Sequence, residues 1–432
     1  HVEAVTSIVG RAELLSFFFG ILTLLFWFKT KYFLSAIILF LALLSKESAI
    51  AIMPIVFLFS WYYRQSWRWL NWYLGSIFVY FILRIAVLGQ YAFKAQVEFV
   101  FNPLAYASFF ERFFTALKIL TLYLVKIFVP YLLSADYSYE QIPVVTNLFL
   151  SPLSLAGLVI FLSILWLIYR AFQKRDVSVL KLASILFLLP YLVISNLVFP
   201  TGTIMAERLM YFPSLGAVMV LALGIEYLFK FYKKFGLAVL LNLAAFYGLL
   251  TISQNRIWLS REALLTDMFE KSPNSVVAKT EFGILMLEHN KELAKRLSLE
   301  VYEKYPDYIQ NLNLKAALEV KDGRFTEAEK FLERALELRS KHQNTLQNLS
   351  RVYFTLGKYQ EAEKTLKVLV FEYGGTGNVI FYALVQAKNG RFDESRQTIY
   401  DFFGPEVKAE SALKILRGEF KELESFYIYS PK

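Results

Sequence analysis

Residues 205–216, MAERLMYFPSLG, place an acid and a base, Glu207 and Arg208, between two long apolar runs. Charged side chains in this position are expected to face a protein-lined or water-filled cavity and not lipid. Five further charged residues interrupt apolar sequence in the same way: Glu3, Arg11 and Glu13 near the start, then Lys46 and Glu47. These three groups of charges predict a single polar site built from distant parts of the chain.

The composition is too apolar for a soluble globular protein. Of the 432 residues, 56% are hydrophobic and 17% are aromatic, and the mean hydropathy is +0.44. Apolar runs extend to about Thr251, whereas the sequence from Arg261 onward is charged and periodic. We therefore predict a polytopic membrane domain followed by a domain in water.

The charge pattern and the residue types exclude three kinds of site. The net charge of +10 comes from short basic loops beside apolar runs, which is the positive-inside pattern and not a nucleic-acid-binding surface. The chain has no Cys, so disulfides are excluded, and its three His are too scattered to form a zinc site.

Nine apolar runs predict the helices of the membrane domain: 14–28, 32–44, 49–63, 71–88, 113–133, 153–169, 182–199, 213–229 and 236–252. Several are shorter than the roughly 20 residues of a full span, so tilted or broken helices are expected. Basic residues place four loops inside, at 29–31, 64–68, 170–181 and 230–234. Five segments then lie outside: 1–13, the turn at Lys46-Glu47, 89–112, 134–152 and 200–212.

The run 113–133 has two possible paths. A crossing helix would put the basic-poor stretches 89–112 and 134–152 on opposite sides, so we predict an embedded helix that begins and ends outside. The alternative keeps 113–133 as a span and makes 32–60 one long helix with Lys46 and Glu47 at mid-bilayer. Arg64 and Arg68 would then lie outside, which the positive-inside rule disfavours.

Internal repetition determines the prediction for the C-terminal part. A Gly-basic-aromatic-x-x-small motif begins at Gly323, Gly357 and Gly390, at spacings of 34 and 33 residues, which is the period of a tetratricopeptide repeat. A weaker copy begins near Ser275, with Ala294 in phase. The glycine permits a left-handed turn between paired helices, and the small residue lets them approach closely. About four repeats would form an α-solenoid. Its concave face would bind a peptide or a partner, or the solenoid would instead act as the scaffold of an oligomer.

The isolated charges have both a functional and a structural interpretation. The N-terminal group fits an interfacial amphipathic helix or a phosphate site, because the planar fork of Arg11 can donate two hydrogen bonds to a lipid phosphate. Lys46 and Glu47 fit either a helix-end pair that snorkels to water or part of the site. Arg84, one turn from a predicted outer end, and Asp136, in an acidic and aromatic cluster, lie on the same side.

Four segments carry a resemblance to a known family. HVEAVTSIVGRAELL, LLSKESAI, LSADYSYEQIP and FPTGTIMAERLMYFPSLG, in this order and followed by the repeats, resemble signatures of the transmembrane and tetratricopeptide-repeat O-mannosyltransferases. The resemblance covers nearly the whole chain and implies a GT-C class glycosyltransferase that uses a polyprenyl-phosphate sugar. In that family an acidic motif precedes a His-Pro, so the catalytic base is expected upstream of His1. By this comparison the chain is expected to be N-terminally truncated and inactive as it stands.

The predicted fold is all-α, a transmembrane bundle followed by a solenoid. The domains are 1–260 in the membrane, a linker at 261–274, repeats at 275–410 and a C-terminal cap at 411–432. The predicted function is inverting transfer of a sugar, with mannose expected, from polyprenyl phosphate to Ser or Thr of extracytoplasmic proteins. The repeats would lie outside and bind the acceptor or a partner. The alternative is a non-catalytic, membrane-anchored adaptor or assembly factor.

The site candidates fall into two sets. Four cations are candidates for the lipid phosphate: Arg11, Lys46, Arg84 and Arg208. Five acids are candidates for positioning or metal ligation: Glu3, Glu13, Glu47, Asp136 and Glu207. A divalent cation is compatible with this chemistry, but no acids here have diagnostic metal-ligand spacing.

Overall fold

The computed structural model describes residues 2–92, 97–174 and 178–403, and over these ranges its regular structure consists of helices without strands. The predicted fold class, apolar membrane helices followed by paired repeat helices, is confirmed. The chain divides into two compact units, one ending at Ala278 and the other beginning at Lys279. The domain boundaries predicted from the sequence stay predictions, and the predicted cap at 411–432 lies outside the described residues.

Eleven α-helices lie wholly within the described part of the first unit. They are α1 Val2–Thr6, α2 Arg11–Phe28, α3 Tyr32–Ser45, α4 Ile52–Tyr63, α5 Trp69–Leu88, α6 Phe109–Phe128, α7 Pro152–Lys174, α8 Val179–Ile194, α9 Ser214–Phe231, α10 Lys233–Ile257 and α11 Arg261–Lys271. Each of the nine predicted apolar runs corresponds to one of these helices, α2 to α10. Apolar runs of this length must satisfy their backbone groups internally in lipid, which only a helix or a closed barrel achieves.

Five helices within the described ranges are long and apolar enough to cross a membrane: α2, α5, α7, α9 and α10. The segments Tyr32–Ser45, Glu47–Tyr63 and Val179–Ile194 are apolar but shorter. Helix α6, which carries the run 113–133, is in neither group, so its path relative to the bilayer stays a prediction.

The charged pair at 46–47 marks a break between two helices. Lys46 adopts an extended conformation with φ −160° and ψ 137°, and a 3-10 turn at Glu47–Ala51 follows it. The single helix over 32–60 that the alternative topology requires is therefore not formed. The break places a lysine, with a side chain that is 20% exposed, between two apolar helices, which suits a polar site better than a lipid-facing surface.

Two apolar clusters form the interior of the first unit. One centres on Trp27, Leu39 and Ile52, and the other on Tyr123 and Tyr191, all almost fully buried. Helices α8 and α9 approach so closely that a Cβ added at Gly216 would lie 2.3 Å from the carbonyl oxygen of Ala183. This close packing fixes the start of α9, directly after the Glu207-Arg208 segment.

The second unit consists of paired antiparallel helices at the predicted period. The helices are α12 Val276–His289 (which begins in the first unit), α13 Lys291–Lys304, α14 Ile309–Lys321, α15 Phe325–Leu338, α16 Gln343–Thr355, α17 Tyr359–Tyr373, α18 Thr376–Lys388 and α19 Phe392–Phe403. The turns within pairs hold Gly323, Gly357 and Gly390 at φ +74°, +72° and +79°, as the motif predicts. Ala328 and Ala362 are fully buried where the helices meet.

Candidate functional site

The site is built around a 3-10 turn at Glu207–Met210, which precedes α9. The apolar neighbours Leu209 and Met210 are buried and fix the turn in the interior. The hydroxyl of Tyr123, on α6, donates to the carbonyl of Ala206 and accepts from its N–H, both at 3.0 Å. Glu207 and Arg208 are therefore placed by backbone contacts and are not free to move toward lipid.

Arg208 is held by Glu3 from the start of the chain. Its guanidinium forms an ion pair with the Glu3 carboxylate, and its backbone N–H donates to the other carboxylate oxygen at 2.8 Å. The Glu3 side chain is 4% exposed and that of Arg208 is 25% exposed. The pair joins α1 to the turn before α9 across 205 residues of sequence.

A second ion pair lies beside the first. Lys46, at the break between α3 and α4, pairs with Glu13 in the first turn of α2. One turn after Glu13, the Phe17 ring packs edge-on against the Tyr211 ring with centroids 5.2 Å apart, so α2 and the segment that carries Arg208 are neighbours. The structure thus brings Glu3, Glu13, Lys46 and Arg208 together, as the three charge groups predict.

Glu207 accepts hydrogen bonds but forms no ion pair with any residue that the structure describes. Its carboxylate accepts from the Tyr137 hydroxyl and from the N–H of Ser134 at 2.9 Å. Burial raises the pKa of Glu207 to about 7, with the nearby Glu3 carboxylate adding to this effect and the Tyr137 hydroxyl opposing it. A carboxyl group with this pKa can exchange a proton near neutral pH.

Asp136 lies on the same loop as Tyr137 but faces a different segment. One of its carboxylate oxygens accepts from the N–H and the hydroxyl of Ser138, at 3.1 and 2.8 Å, and from the Ser275 hydroxyl. The hydroxyl of Ser272 donates to the Asp136 carbonyl at 2.6 Å. Burial raises the pKa of Asp136 while these donors lower it. Asp136 therefore fastens the loop that supports Glu207 to residues 272–275.

A cavity of about 340 Å³ opens beside Glu207. Its walls are mainly apolar and come from α6, α9 and α10, including Ile127, Leu221 and Leu250. Its polar lining includes Tyr123 and Lys126 as well as Glu207. An apolar pocket with a few convergent polar groups is the usual form of a small-molecule or lipid site.

Lys126 is a site residue that the sequence analysis did not single out. Its ammonium group donates to the Leu132 carbonyl at 2.6 Å and lies 4.8 Å from the centre of the Tyr137 ring. An isolated lysine in the apolar run 113–133 was a signal of the same type as Lys46. The same run also contains Lys118, so the sequence alone does not indicate which of its two lysines faces the site.

Three predicted candidates lie outside the cluster. Arg84 donates to the Ala92 carbonyl and to the Tyr80 hydroxyl, both at 2.8 Å, so it stabilises the end of α5. Arg11 and Glu47 are exposed and form no ion pair with any residue in the described ranges. Within those ranges no three His, Cys, Asp or Glu side chains are grouped so that they could hold a metal ion.

Comparisons with known proteins agree with the fold and the motifs. Residues 307–369 match the tetratricopeptide repeat family. The chain is 25% identical to protein O-mannosyl-transferase TMTC3 of Homo sapiens over 72% of this chain and 38% of that protein. It is 23% identical to Tmtc3 of Drosophila melanogaster, over 70% of this chain and 30% of the relative. It is 28% identical to TMTC1 of Mus musculus, over 49% and 24% respectively.

The matched region is only part of each relative. The chain spans between 24% and 38% of the length of these three proteins. The matches extend beyond the repeats, because 72% of the chain is longer than the repeat region. These similarities confirm the resemblance to the transmembrane and tetratricopeptide-repeat O-mannosyltransferases that the sequence motifs predict.

Proposed function

We propose that the full-length protein is a membrane glycosyltransferase that moves a sugar, with mannose expected, from a polyprenyl-phosphate donor to Ser or Thr of a protein. The observation that carries the proposal is the cavity lined by Glu207 and Lys126, together with Arg208, which follows Glu207 in the chain and is held by Glu3. An apolar cavity suits a lipid chain, and cations at its polar end suit a phosphate. The relatives named protein O-mannosyl-transferases support the same reaction class.

The chemistry requires few protein groups. The acceptor hydroxyl oxygen attacks the anomeric carbon, the bond from that carbon to the phosphate oxygen breaks, and the phosphate leaves with the bonding electrons. A carboxylate base takes the hydroxyl proton, and cations stabilise the charge that develops on the leaving phosphate. Arg208 and Lys126 are the proposed phosphate contacts, since Lys126 lines the cavity and Arg208 is the residue after the lining residue Glu207.

Arg208 has a planar fork that fits phosphate as well as carboxylate. Its guanidinium keeps donors beyond those used by Glu3, because an arginine carries five N–H groups. Lys46 forms its ion pair with Glu13, and this pair lies next to the segment that carries Arg208. The acids therefore orient the cations, and the cations bind the donor.

The test is sugar transfer by the full-length protein in detergent, from polyprenyl-phosphate mannose to a Ser/Thr peptide. We expect Arg208→Ala to reduce transfer by roughly 100-fold at matched protein amount, as for loss of a transition-state donor. Arg208→Lys should recover little transfer although it can still pair with Glu3, because an ammonium lacks the two-pronged contact. Arg68→Ala, at an exposed position, is the control.

Two results would contradict the proposal. The first is absence of transfer by the unaltered full-length protein, which would favour a non-catalytic adaptor. The second is near-normal transfer by Arg208→Ala, which would leave Arg208 with only a structural role.

We also propose that the repeats lie on the extracytoplasmic side, because the short basic loops alternate in that sense. Protease added to sealed spheroplasts should then cleave within residues 279–403 from outside. Protection until the membrane is permeabilised would overturn both this orientation and the proposed path of 113–133.

A further inference from the structure

The first helices of consecutive repeats carry side-chain amides at matching positions. Gln310, Asn344 and Asn378 follow each other at spacings of 34 residues, on α14, α16 and α18. Asn313 and Gln347 form a second matched pair one turn along the same helices. In a repeat solenoid the first helices line the concave face, so these positions form a continuous row. The amide row is defined as Gln310, Asn313, Asn344, Gln347, Asn348 and Asn378.

Hydrogen bonds between neighbouring repeats order this row. The Asn348 amide donates to the Asn313 oxygen at 3.0 Å, and the Gln347 amide donates to the Asn378 oxygen at 3.3 Å. Asn313 also donates to the Thr345 hydroxyl at 2.8 Å. The side chains are thus held in place before any ligand arrives, which lowers the entropy cost of binding.

A cavity of about 220 Å³ lies along the row. Its amide lining is Gln310, Asn313, Asn344 and Asn348, and Leu314 contributes to its apolar lining. A water molecule occupies roughly 30 Å³ of liquid, so the cavity has room for a segment of a ligand and not only for single waters.

Gln310 and Asn344 have hydrogen-bonding capacity left over. The side-chain oxygen of Gln310 is buried and accepts no hydrogen bond from the residues that the structure describes. Most buried acceptors in proteins are satisfied, and one that is not destabilises the folded state. Asn344 is exposed and its amide makes no hydrogen bond within the described ranges. A ligand that brings an N–H group to Gln310 and both a donor and an acceptor to Asn344 would satisfy these groups.

The chemistry of the lining selects the kind of ligand. A side-chain amide has the same donors and acceptors as a peptide group, and an extended chain presents one N–H and one carbonyl at every residue. None of the lining residues of this cavity is Lys or Arg, so nothing in it favours an acidic or phosphorylated ligand. The lining therefore fits a main chain, and the acidic lining residue Glu281 further disfavours an acidic ligand.

We propose that the amide row binds the main chain of an extended polypeptide segment that lacks acidic side chains, with little further dependence on its side chains. The proposal rests on the proposed function only in identifying that segment with the acceptor of sugar transfer. Recognition of the main chain would let one protein present hydroxyl groups from many different sequences.

The experiment compares two versions of one fluorescent twelve-residue Ser/Thr/Val peptide, binding to full-length protein in detergent without any sugar donor. One peptide has ordinary amides, and the other has N-methyl groups on alternate residues, which remove N–H donors and leave the side chains unchanged. We expect the N-methylated peptide to bind at least tenfold more weakly. Asn344→Ala and Gln310→Ala should each weaken binding of the ordinary peptide by roughly fivefold.

The matched control is Gln360→Ala, an exposed amide on the second helix of its repeat, which should leave the Kd unchanged. If Gln310→Ala does not fold, Asn344→Ala alone decides, because its side chain is exposed. Equal binding of the two peptides, absence of saturable binding, or an equal loss in Gln360→Ala would overturn the proposal.

A parallel transfer assay separates this inference from the proposed function. Peptide binding that depends on the amide row, without any sugar transfer, would leave this inference standing and remove the enzyme proposal. Sugar transfer with an unchanged KM for the peptide in Asn344→Ala and Gln310→Ala would support the enzyme proposal and overturn this inference.

Discussion

Charged side chains are used differently in the two units. In the first unit, Glu3 pairs with Arg208 and Glu13 pairs with Lys46, and both carboxylates are at most 7% exposed. The partners are 205 and 33 residues apart in sequence. The repeats also hold fully local surface pairs such as Lys330 with Glu327, which are three residues apart and 68% and 47% exposed.

The difference lies in what each pair can do. A buried ion pair costs desolvation energy, and removing one partner leaves an uncompensated charge, so such a pair constrains which segments must meet. An exposed pair is screened by water and contributes little to the free energy of folding. Charges in the first unit therefore define the site, whereas most charges on the repeats keep a helical surface in water.

The largest expected effect tests whether the buried pair determines the structure of the first unit. Glu3→Gln leaves Arg208 without its anion in a site that is mostly closed to water, and should lower the free energy of unfolding by roughly 3 kcal/mol. Unfolding in matched detergent micelles measures the change. The double variant with Arg208→Gln should recover part of the loss, because no unpaired charge remains.

Arg68→Ala is the control for this prediction, since Arg68 is exposed at the N-terminus of α5. A loss in Glu3→Gln no greater than that of Arg68→Ala would mean that the Glu3–Arg208 pair is energetically equivalent to a surface pair.

The sequence predicted the two units to different degrees because their contacts differ in range. Each repeat packs mainly on its neighbours, so the glycine motif at a fixed period was enough to place its helices. The site depends on which distant turns meet. Isolation in apolar sequence identified Glu3, Glu13, Lys46, Glu207 and Arg208 as candidates. It did not reveal which acid pairs with which cation.

Isolation in apolar sequence also identified candidates that lie outside the site. Arg84 is also isolated in apolar sequence, yet its hydrogen bonds to Ala92 and Tyr80 keep it at the end of α5. Lys126 was overlooked although it lies beside Glu207 in the cavity. A lone charge thus indicates that a polar partner exists, but the identity of that partner is set by tertiary packing.

An intermediate effect concerns the dependence of stability on pH. The pKa of Glu207 rises from 4.5 to about 7 on folding, so the folded state favours the protonated carboxyl. The stabilisation from this group is full below pH 4.5 and is lost as the pH rises to about 7. With allowance for solvent screening of a partly exposed side chain, the loss should be on the order of 1–2 kcal/mol.

The measurement is the thermal midpoint of the unaltered protein and of Glu207→Gln between pH 4.5 and pH 8. The unaltered protein should lose stability relative to Glu207→Gln as the pH rises. Glu262→Gln, which changes an exposed acid on α11, should track the unaltered protein. Parallel curves for Glu207→Gln and the unaltered protein would show that Glu207 does not titrate in this range.

The smallest expected effect defines the other side of the comparison. Lys330→Ala removes an ion pair with Glu327 on the surface of α15. Because both side chains are largely in water and three residues apart on one helix, the free energy of unfolding should change by roughly 0.5 kcal/mol or less. Added salt should make the change smaller still, since exposed charges are screened within about a Debye length. A loss of unfolding free energy in Lys330→Ala comparable to that in Glu3→Gln would contradict the comparison between the two units. Burial of an ion pair would then not determine how much the pair contributes to stability.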